Sequence, residues 1–340
     1  MFESGRSFRL LFTAVLGFLG CFLLIGSPAI GENPPEIRLV IQLGDSYSAG
    51  FGVLDNNVEA PEPGQMICDD PEYSEVEVTP GFRVAELIQA LTGNPVDFVF
   101  EACGGAEVYN GGNQDLADQW QAAKGQVADL GLQLGSGEGV LIVMTFGGND
   151  VRTRGGLDWP SLVKECINPF NTRECSSNRF DNEVINAPII RDALMLELSA
   201  IAAEVPNAIV KFMGYPIPFQ PVWSSYIGPI GGPMPNSVRD CPRVTGMSAP
   251  EADFLDGQSR LVGQFIESAV DMVDQSTPID LSFVDVAPYF HAHGACNPTV
   301  PFINDVDWVI WLWSIQANSF HPMAEGWDQY FWALVDSLGL

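Results

Sequence analysis

The sequence predicts an α/β protein with a parallel sheet of about five strands covered by helices on both faces. Strand-like segments alternate with helix-like ones along the chain, the pattern that parallel sheets require. The most strand-like segment, Gly139 to Phe146, is apolar without alternation, as befits a strand buried on both faces. Three of the strand-like segments run directly into small polar clusters, which the fold would gather beyond the strands' carboxyl ends, where such sheets place their sites.

Ile37 to Leu43 reads as the first strand and ends in Gly44-Asp45-Ser46-Tyr47-Ser48-Ala49-Gly50. Residues 51 to 80, rich in Pro, Glu and Asp, form a loop containing Cys68. Phe82, Val84, Ala85, Leu87, Ile88 and Leu91 recur at helical spacing. Val96 to Glu101 is a second strand running into Ala102-Cys103-Gly104-Gly105-Ala106, followed by a helical stretch from Leu116 to Leu130. Gly139 to Phe146 is the most strand-like run and stops at Gly147-Gly148-Asn149-Asp150. A helix near Ile189 to Ala203, a strand from Ala208 to Gly214 and a Pro and Gly rich excursion from Pro216 to Pro250 come next. A helix near Ala252 to Val273, a short strand from Leu281 to Val286 and a helix near Met323 to Leu338 complete the order.

No low-complexity linker or repeat divides the chain, so residues 30 to 340 read as one domain despite a length that allows two. The N-terminus has Arg6 and Arg9, then an apolar stretch from Leu10 to Ile25, then Gly26-Ser27-Pro28-Ala29. That is the layout of a secretory signal peptide spanning residues 1 to 29, cleaved near Ala29. The apolar run is shorter than the roughly 20 residues that span a bilayer, so no stable membrane insertion is expected after cleavage. The apolar chain that continues after Cys21 argues against a lipoprotein site there.

The net charge of −28 repels phosphate backbones and anionic headgroups and argues against nucleic acid as partner or substrate. Of seven cysteines, Cys21 lies in the leader, leaving Cys68, Cys103, Cys166, Cys175, Cys241 and Cys296. An even count in an exported chain reads as three disulfides; pairing in sequence order is the simplest of the fifteen arrangements. Zinc is disfavoured because no Cys-x-x-Cys doublet occurs.

The polar clusters supply the parts of an acyl-transfer centre, which needs a nucleophile, a base and donors for the developing oxyanion. Ser46 offers the hydroxyl; its own N–H, the N–H of Gly105 and the Asn149 side-chain amide form the candidate oxyanion hole. Gly104 is adjacent and competes with Gly105 for that role. Each residue has a plainer reading: Ser46 as a turn residue, Asn149 as a turn cap. The base should be a histidine, and there are three. His321 lies in Ser319-Phe320-His321-Pro322 ahead of the last helix, whereas His291 and His293 lie beyond the fifth strand.

Gly-Asp-Ser-Tyr-Ser at 44–48, Ala-Cys-x-Gly-Ala at 102–106, Gly-Gly-Asn-Asp at 147–150 and Ser-Phe-His-Pro at 319–322 together resemble the blocks of the SGNH, or GDSL, hydrolase superfamily. The resemblance is closest to its secreted esterase and lipase branch with three disulfides. It implies a three-layer, flavodoxin-like αβα sandwich, Ser46 as nucleophile in preference to Ser48, Gly105 and Asn149 as oxyanion donors, and His321 as base. It also implies the pairs Cys68–Cys103, Cys166–Cys175 and Cys241–Cys296. The implied activity is hydrolysis of carboxylic esters by a secreted, monomeric serine esterase or lipase that uses no metal or cofactor and acts on a small-molecule or lipid ester.

The family's common pattern places Asp three residues before the base, and that position here is Asn318. In a serine protease an Asp-to-Asn change at the third position lowers kcat about 10⁴-fold through the wrong imidazole tautomer. Relatives in the branch that the chain resembles can use a backbone carbonyl instead, so a Ser46–His321 dyad is the leading expectation, with the Asn318 side-chain oxygen, Asp305 or Asp307 as alternative orienters of the imidazole. The same site also suits a phospholipase, an acyltransferase or a carbohydrate deacetylase. An inactive scaffold kept as a binding protein is the reading from another class.

His291 and His293 share one face at i and i+2 and can chelate a metal, but no third ligand is apparent and His293-x-x-Cys296 matches the branch's pattern, so His293 reads as structural or pocket-lining. Trp308, Trp311, Trp313, Trp327 and Trp332 divide between pocket lining and core packing.

Overall fold

The structure is a computed structural model that describes residues 36–53, 67–68, 75–109, 115–167, 175, 179–220, 222–223, 239–241, 244, 247–297, 300–304, 308–309, 314–315 and 319–340. Five strands form its sheet: β1 (Leu39–Gly44), β2 (Asp97–Phe100), β3 (Val140–Thr145), β4 (Ile209–Met213) and β5 (Asp280–Val284). Every pairing is parallel, and the strand order is 2-1-3-4-5. This is the flavodoxin-like winding, whose order reverses between β1 and β3 and opens a crevice at their carboxyl ends.

β1 and β3 are central, and all twelve of their residues are buried. That explains why their sequences are mainly apolar, with Gln42 and Thr145 the buried polar exceptions. Alternate residues of β1 serve opposite layers. Leu39, Ile41 and Leu43 pack with Leu116, Trp120 and Ala123 of α2 (Leu116–Asp129), with Leu194 and Leu198 of α3 (Ala187–Glu204) and with Ile266 and Val270 of α4 (Ala249–Ser276). Val40 instead packs with Val84 and Ile88 of α1 (Pro80–Thr92) and with Trp327, Tyr330 and Leu334 of α5 (Ala324–Leu338). Helices thus cover both faces, giving the three-layer αβα sandwich.

The five expected strands and five expected helices all occur, with ends displaced by up to three residues, as hydrogen-bond patterns and apolar patterns commonly differ at element termini. The longest helix, α4, begins in a capping box: the Ser248 side chain accepts from the Glu251 N–H and the Glu251 carboxylate accepts from the Ser248 N–H. Three disulfides join Cys68 to Cys103, Cys166 to Cys175 and Cys241 to Cys296. The first ties the two-residue ladder Ile67–Cys68 to Cys103–Gly104, directly beside Gly105. Residues 1–29, Asn318, Asp305, Asp307, Trp311 and Trp313 lie outside the described residues. Among the described residues no helix is long and apolar enough to cross a membrane.

Candidate active site

The Ser46 hydroxyl lies 2.7 Å from Nε2 of His321, across 275 residues of sequence. Ser46 sits in the turn that follows β1 and His321 in the segment that enters α5, so the sandwich brings opposite ends of the described chain to the β1/β3 crevice. Ser46 is 9% exposed, whereas Ser48 is fully buried with its hydroxyl 2.9 Å from that of Thr145. The geometry therefore pairs the Ser46 hydroxyl with an imidazole and the Ser48 hydroxyl with the Thr145 hydroxyl.

Beneath Ser46 lies a buried polar network. The Asp45 carboxylate accepts from the Tyr47 N–H at 2.9 Å, from the Thr145 hydroxyl at 2.8 Å and, through a short bond, from the Tyr215 hydroxyl. Tyr215 in turn accepts from the Gly148 N–H at 3.0 Å. Burial pushes Asp45 up to about 6 despite these donors, because an ion withdrawn from water loses solvation. The Gln119 side chain spans the opposite side of the turn, accepting from the Gly44 N–H at 2.7 Å and donating to its carbonyl at 2.9 Å. The nucleophile's turn is thus fixed to β3, to α2 and to the end of β4.

His321 is held through its backbone and its ring faces. Its carbonyl accepts from the Asn304 N–H at 2.9 Å, and the preceding carbonyl, of Phe320, accepts from the Tyr47 hydroxyl at 2.6 Å. Phe320 has φ of +64°, a left-handed conformation that costs about 1–2 kcal/mol outside glycine and is sustained by these bonds. The Phe320 ring packs edge-on against Phe219, and Tyr47 and Phe51 flank the imidazole at centroid distances of 5.2 and 5.5 Å.

The two other clusters follow β2 and β3, the strands that flank β1 in parallel, and so lie at the same edge of the sheet as Ser46. Gly105 has φ of +84°, a backbone conformation glycine adopts without penalty. Gly104 is needed for a separate reason, since a Cβ there would lie 2.4 Å from the Phe51 ring. The Asn149 amide donates to the Ala106 carbonyl at 3.0 Å, which uses one of its two hydrogens and joins the turns after β2 and β3. Both oxygens of the buried Asp150 carboxylate lie 2.9 Å from the Val108 nitrogen, and burial pushes this acid up to about 7.

Tyr215, Thr145, Gln119, Asn304 and Asp150 escaped the sequence reading. Thr145 and Tyr215 carried a signal, as polar residues at the carboxyl ends of β3 and just beyond β4; the others are recognisable only in three dimensions.

The remaining histidines and tryptophans separate cleanly. His293 stacks on Phe302 at 3.9 Å, with Nδ1 2.6 Å from the Val300 carbonyl oxygen, and His291 is exposed. Trp327 is fully buried and donates to the Phe51 carbonyl at 3.0 Å, a core role, whereas Trp332 is 51% exposed on α5. Among the described residues no group of three His, Cys, Asp or Glu side chains gathers as a metal site.

No protein-family model matches the chain, and a search of curated proteins finds no match. Solved structures do resemble it. An extracellular lipase from Streptomyces rimosus superposes with a TM-score of 0.54 at 20% identity, covering 88% of this chain and 99% of the lipase. Phospholipase A1 from Streptomyces albidoflavus NA297 gives a TM-score of 0.57 at 20% identity, covering 88% and 99%. At that identity the likeness is one of fold. The order 2-1-3-4-5, the helices on both faces and these superpositions agree with the resemblance in the four sequence blocks: the chain has the SGNH hydrolase fold.

Proposed function

We propose that the protein is an exported serine hydrolase of carboxylic esters, with Ser46 as nucleophile and His321 as general base. The observation that carries this reading is the 2.7 Å approach of Ser46 Oγ to His321 Nε2. A nucleophilic hydroxyl within hydrogen-bond reach of an imidazole is the minimal machinery of acyl transfer.

In the proposed reaction Ser46 Oγ attacks the ester carbonyl carbon as its proton passes to His321 Nε2. The carbonyl oxygen becomes an oxyanion, accepting from the Ser46 and Gly105 N–H groups and from the second Asn149 amide hydrogen. Collapse breaks the bond to the alcohol oxygen, which takes the proton from His321. Water then attacks the acyl-serine, giving its proton to His321, which returns one to Ser46 as the acid leaves. Removing a single oxyanion donor from such a site typically lowers kcat 10²–10³-fold, so Asn149 is a large contributor in this scheme.

A lipid ester is the substrate class we favour, since both superposed enzymes are named as lipid-cleaving: a lipase and a phospholipase A1. Export through cleavage of residues 1–29 fits the three disulfides, which persist in oxidising compartments. The test is turnover of p-nitrophenyl esters from acetate to palmitate by the wild type and by Ser46→Ala. Ser46-dependent hydrolysis that strengthens with acyl length is the expected result. Hydrolysis confined to acetate would move the substrate to acetylated carbohydrate, and no Ser46-dependent turnover would leave the binding-protein reading.

A further inference from the structure

The turn after β2, which holds Gly105, and the turn after β3, which holds Asn149, are tied together three times within a few residues. The Asn149 amide donates to the Ala106 carbonyl. The Arg152 guanidinium donates to the Asn149 carbonyl at 2.7 Å and to the Glu107 carboxylate at 2.8 Å, so one side chain grips both turns. The Asp150 carboxylate receives the Val108 N–H at 2.9 Å on both oxygens. Its own carbonyl accepts from the Asn186 amide at 2.7 Å, which anchors the assembly to the start of α3.

Arg152 is about one-third exposed at its side chain, and its pair with Glu107 lies towards solvent. Asp150 is fully buried. A buried carboxylate carries a desolvation penalty that a protein offsets with hydrogen-bond donors. Here the donor is the Val108 N–H, shared by both carboxylate oxygens three residues past Gly105, so the carboxylate fixes the path of the backbone that presents the Gly105 N–H.

We propose that Asp150 is a positioning residue for the oxyanion hole: by gripping the Val108 N–H it sets the spacing between the Gly105 N–H and the Asn149 amide. The inference rests on the acyl-transfer reading above. At about pH 8.5, where this acid is ionised and where the variants are compared, it runs against simple electrostatics, because a negative charge near a developing oxyanion opposes the reaction. The two effects have opposite signs in a variant that removes the charge and keeps the shape. If the grip dominates, Asp150→Asn is slower; if the charge dominates, it is faster. Asparagine presents one acceptor oxygen instead of two, so part of the grip survives.

The experiment compares wild type, Asp150→Asn, Asp150→Ala and Ser46→Ala on one p-nitrophenyl ester, with affinity for an alkyl boronic acid as a second readout. The boronic acid forms a tetrahedral adduct with a serine and so reports the oxyanion hole directly. Asp150→Ala is expected to lose about 30-fold or more in kcat, within the range of losing an oxyanion donor, with KM changed less than about threefold. Asp150→Asn is expected to lose about tenfold, and boronate affinity should fall by the same factor as kcat/KM in each variant. If Asp150→Ala does not fold, Asp150→Asn decides alone. Wild-type kcat and boronate affinity in a folded Asp150→Asn, or a gain in either, would overturn the inference while leaving the hydrolase reading intact. Absence of Ser46-dependent turnover in the wild type would overturn both.

Discussion

The Tyr47 hydroxyl donates to the Phe320 carbonyl at 2.6 Å, joining the residue after the nucleophile to the residue before the base. Ser46 and His321 therefore meet on backbone segments that are themselves bonded to each other. Tyr47→Phe keeps the ring against His321 and removes only that bond. The Phe320 carbonyl is left short of a donor, a loss of about 1–3 kcal/mol in a partly buried setting. The expected result is a lower melting temperature and about tenfold lower kcat with little change in KM, from steady-state kinetics beside a thermal melt.

Gly52 backs directly onto the base. It has φ of +96°, and a Cβ there would lie 2.6 Å from the Pro322 carbonyl oxygen and 2.7 Å from His321 Cβ. Gly52→Ala should displace His321 and lower kcat about 10²-fold, the scale on which misplacement by an ångström acts. Gly93→Ala is the control. With φ of +70° and nothing within 4 Å of the added carbon, it should lower stability by about 1–2 kcal/mol and leave kcat unchanged.

Tyr215→Phe removes the one hydroxyl that joins Asp45 to the Gly148 N–H. A buried carboxylate loses a donor and a backbone donor loses its acceptor, so stability should fall by about 2–4 kcal/mol. The Asn149 turn should also loosen, and kcat should drop with it. Unchanged chemical denaturation midpoints would show that water replaces the hydroxyl at no loss.

Buried acids set the pH dependence of stability. Burial raises Asp150 to about 7 and Asp45 and Asp256 to about 6, whereas carboxyls of an unfolded chain titrate near 4. Between those values the folded state binds more protons than the unfolded state. Their contribution is fully present below about 4 and is lost as pH rises through 6 and 7. Self-repulsion from a net charge of −28 acts in the same direction. The melting temperature should rise as pH is lowered from 8 to about 5, and calorimetry at fixed ionic strength would show it; a fall over that range contradicts these assignments.

The sheet was legible because β1 and β3 are buried on both faces and read as runs dominated by apolar residues, with polar clusters where the strands stop. The pairing of Ser46 with His321 was legible because chemistry restricts which residue types suit a hydroxyl and a base, and only three histidines exist to choose from. The supports were not. Tyr215 was marked only by its place just beyond β4, and it reaches Asp45 because β4 lies beside β3 in register. Asn304 and Gln119 act across 17 and 75 residues through ordinary side-chain amides, for which local sequence holds no marker. Gly104 and Gly105 looked interchangeable until packing against Phe51 and a positive φ gave each its own reason.

The central claim is that His321 activates the Ser46 hydroxyl. The most direct measurement is reaction of the folded protein with a fluorophosphonate probe, followed by mass spectrometry of the labelled peptide. The expected result is a single adduct on Ser46, abolished in Ser46→Ala and slowed by at least about 10³-fold in His321→Ala, the scale on which loss of a general base acts. No adduct on folded wild-type protein, or an adduct on another residue that persists in Ser46→Ala, would contradict it.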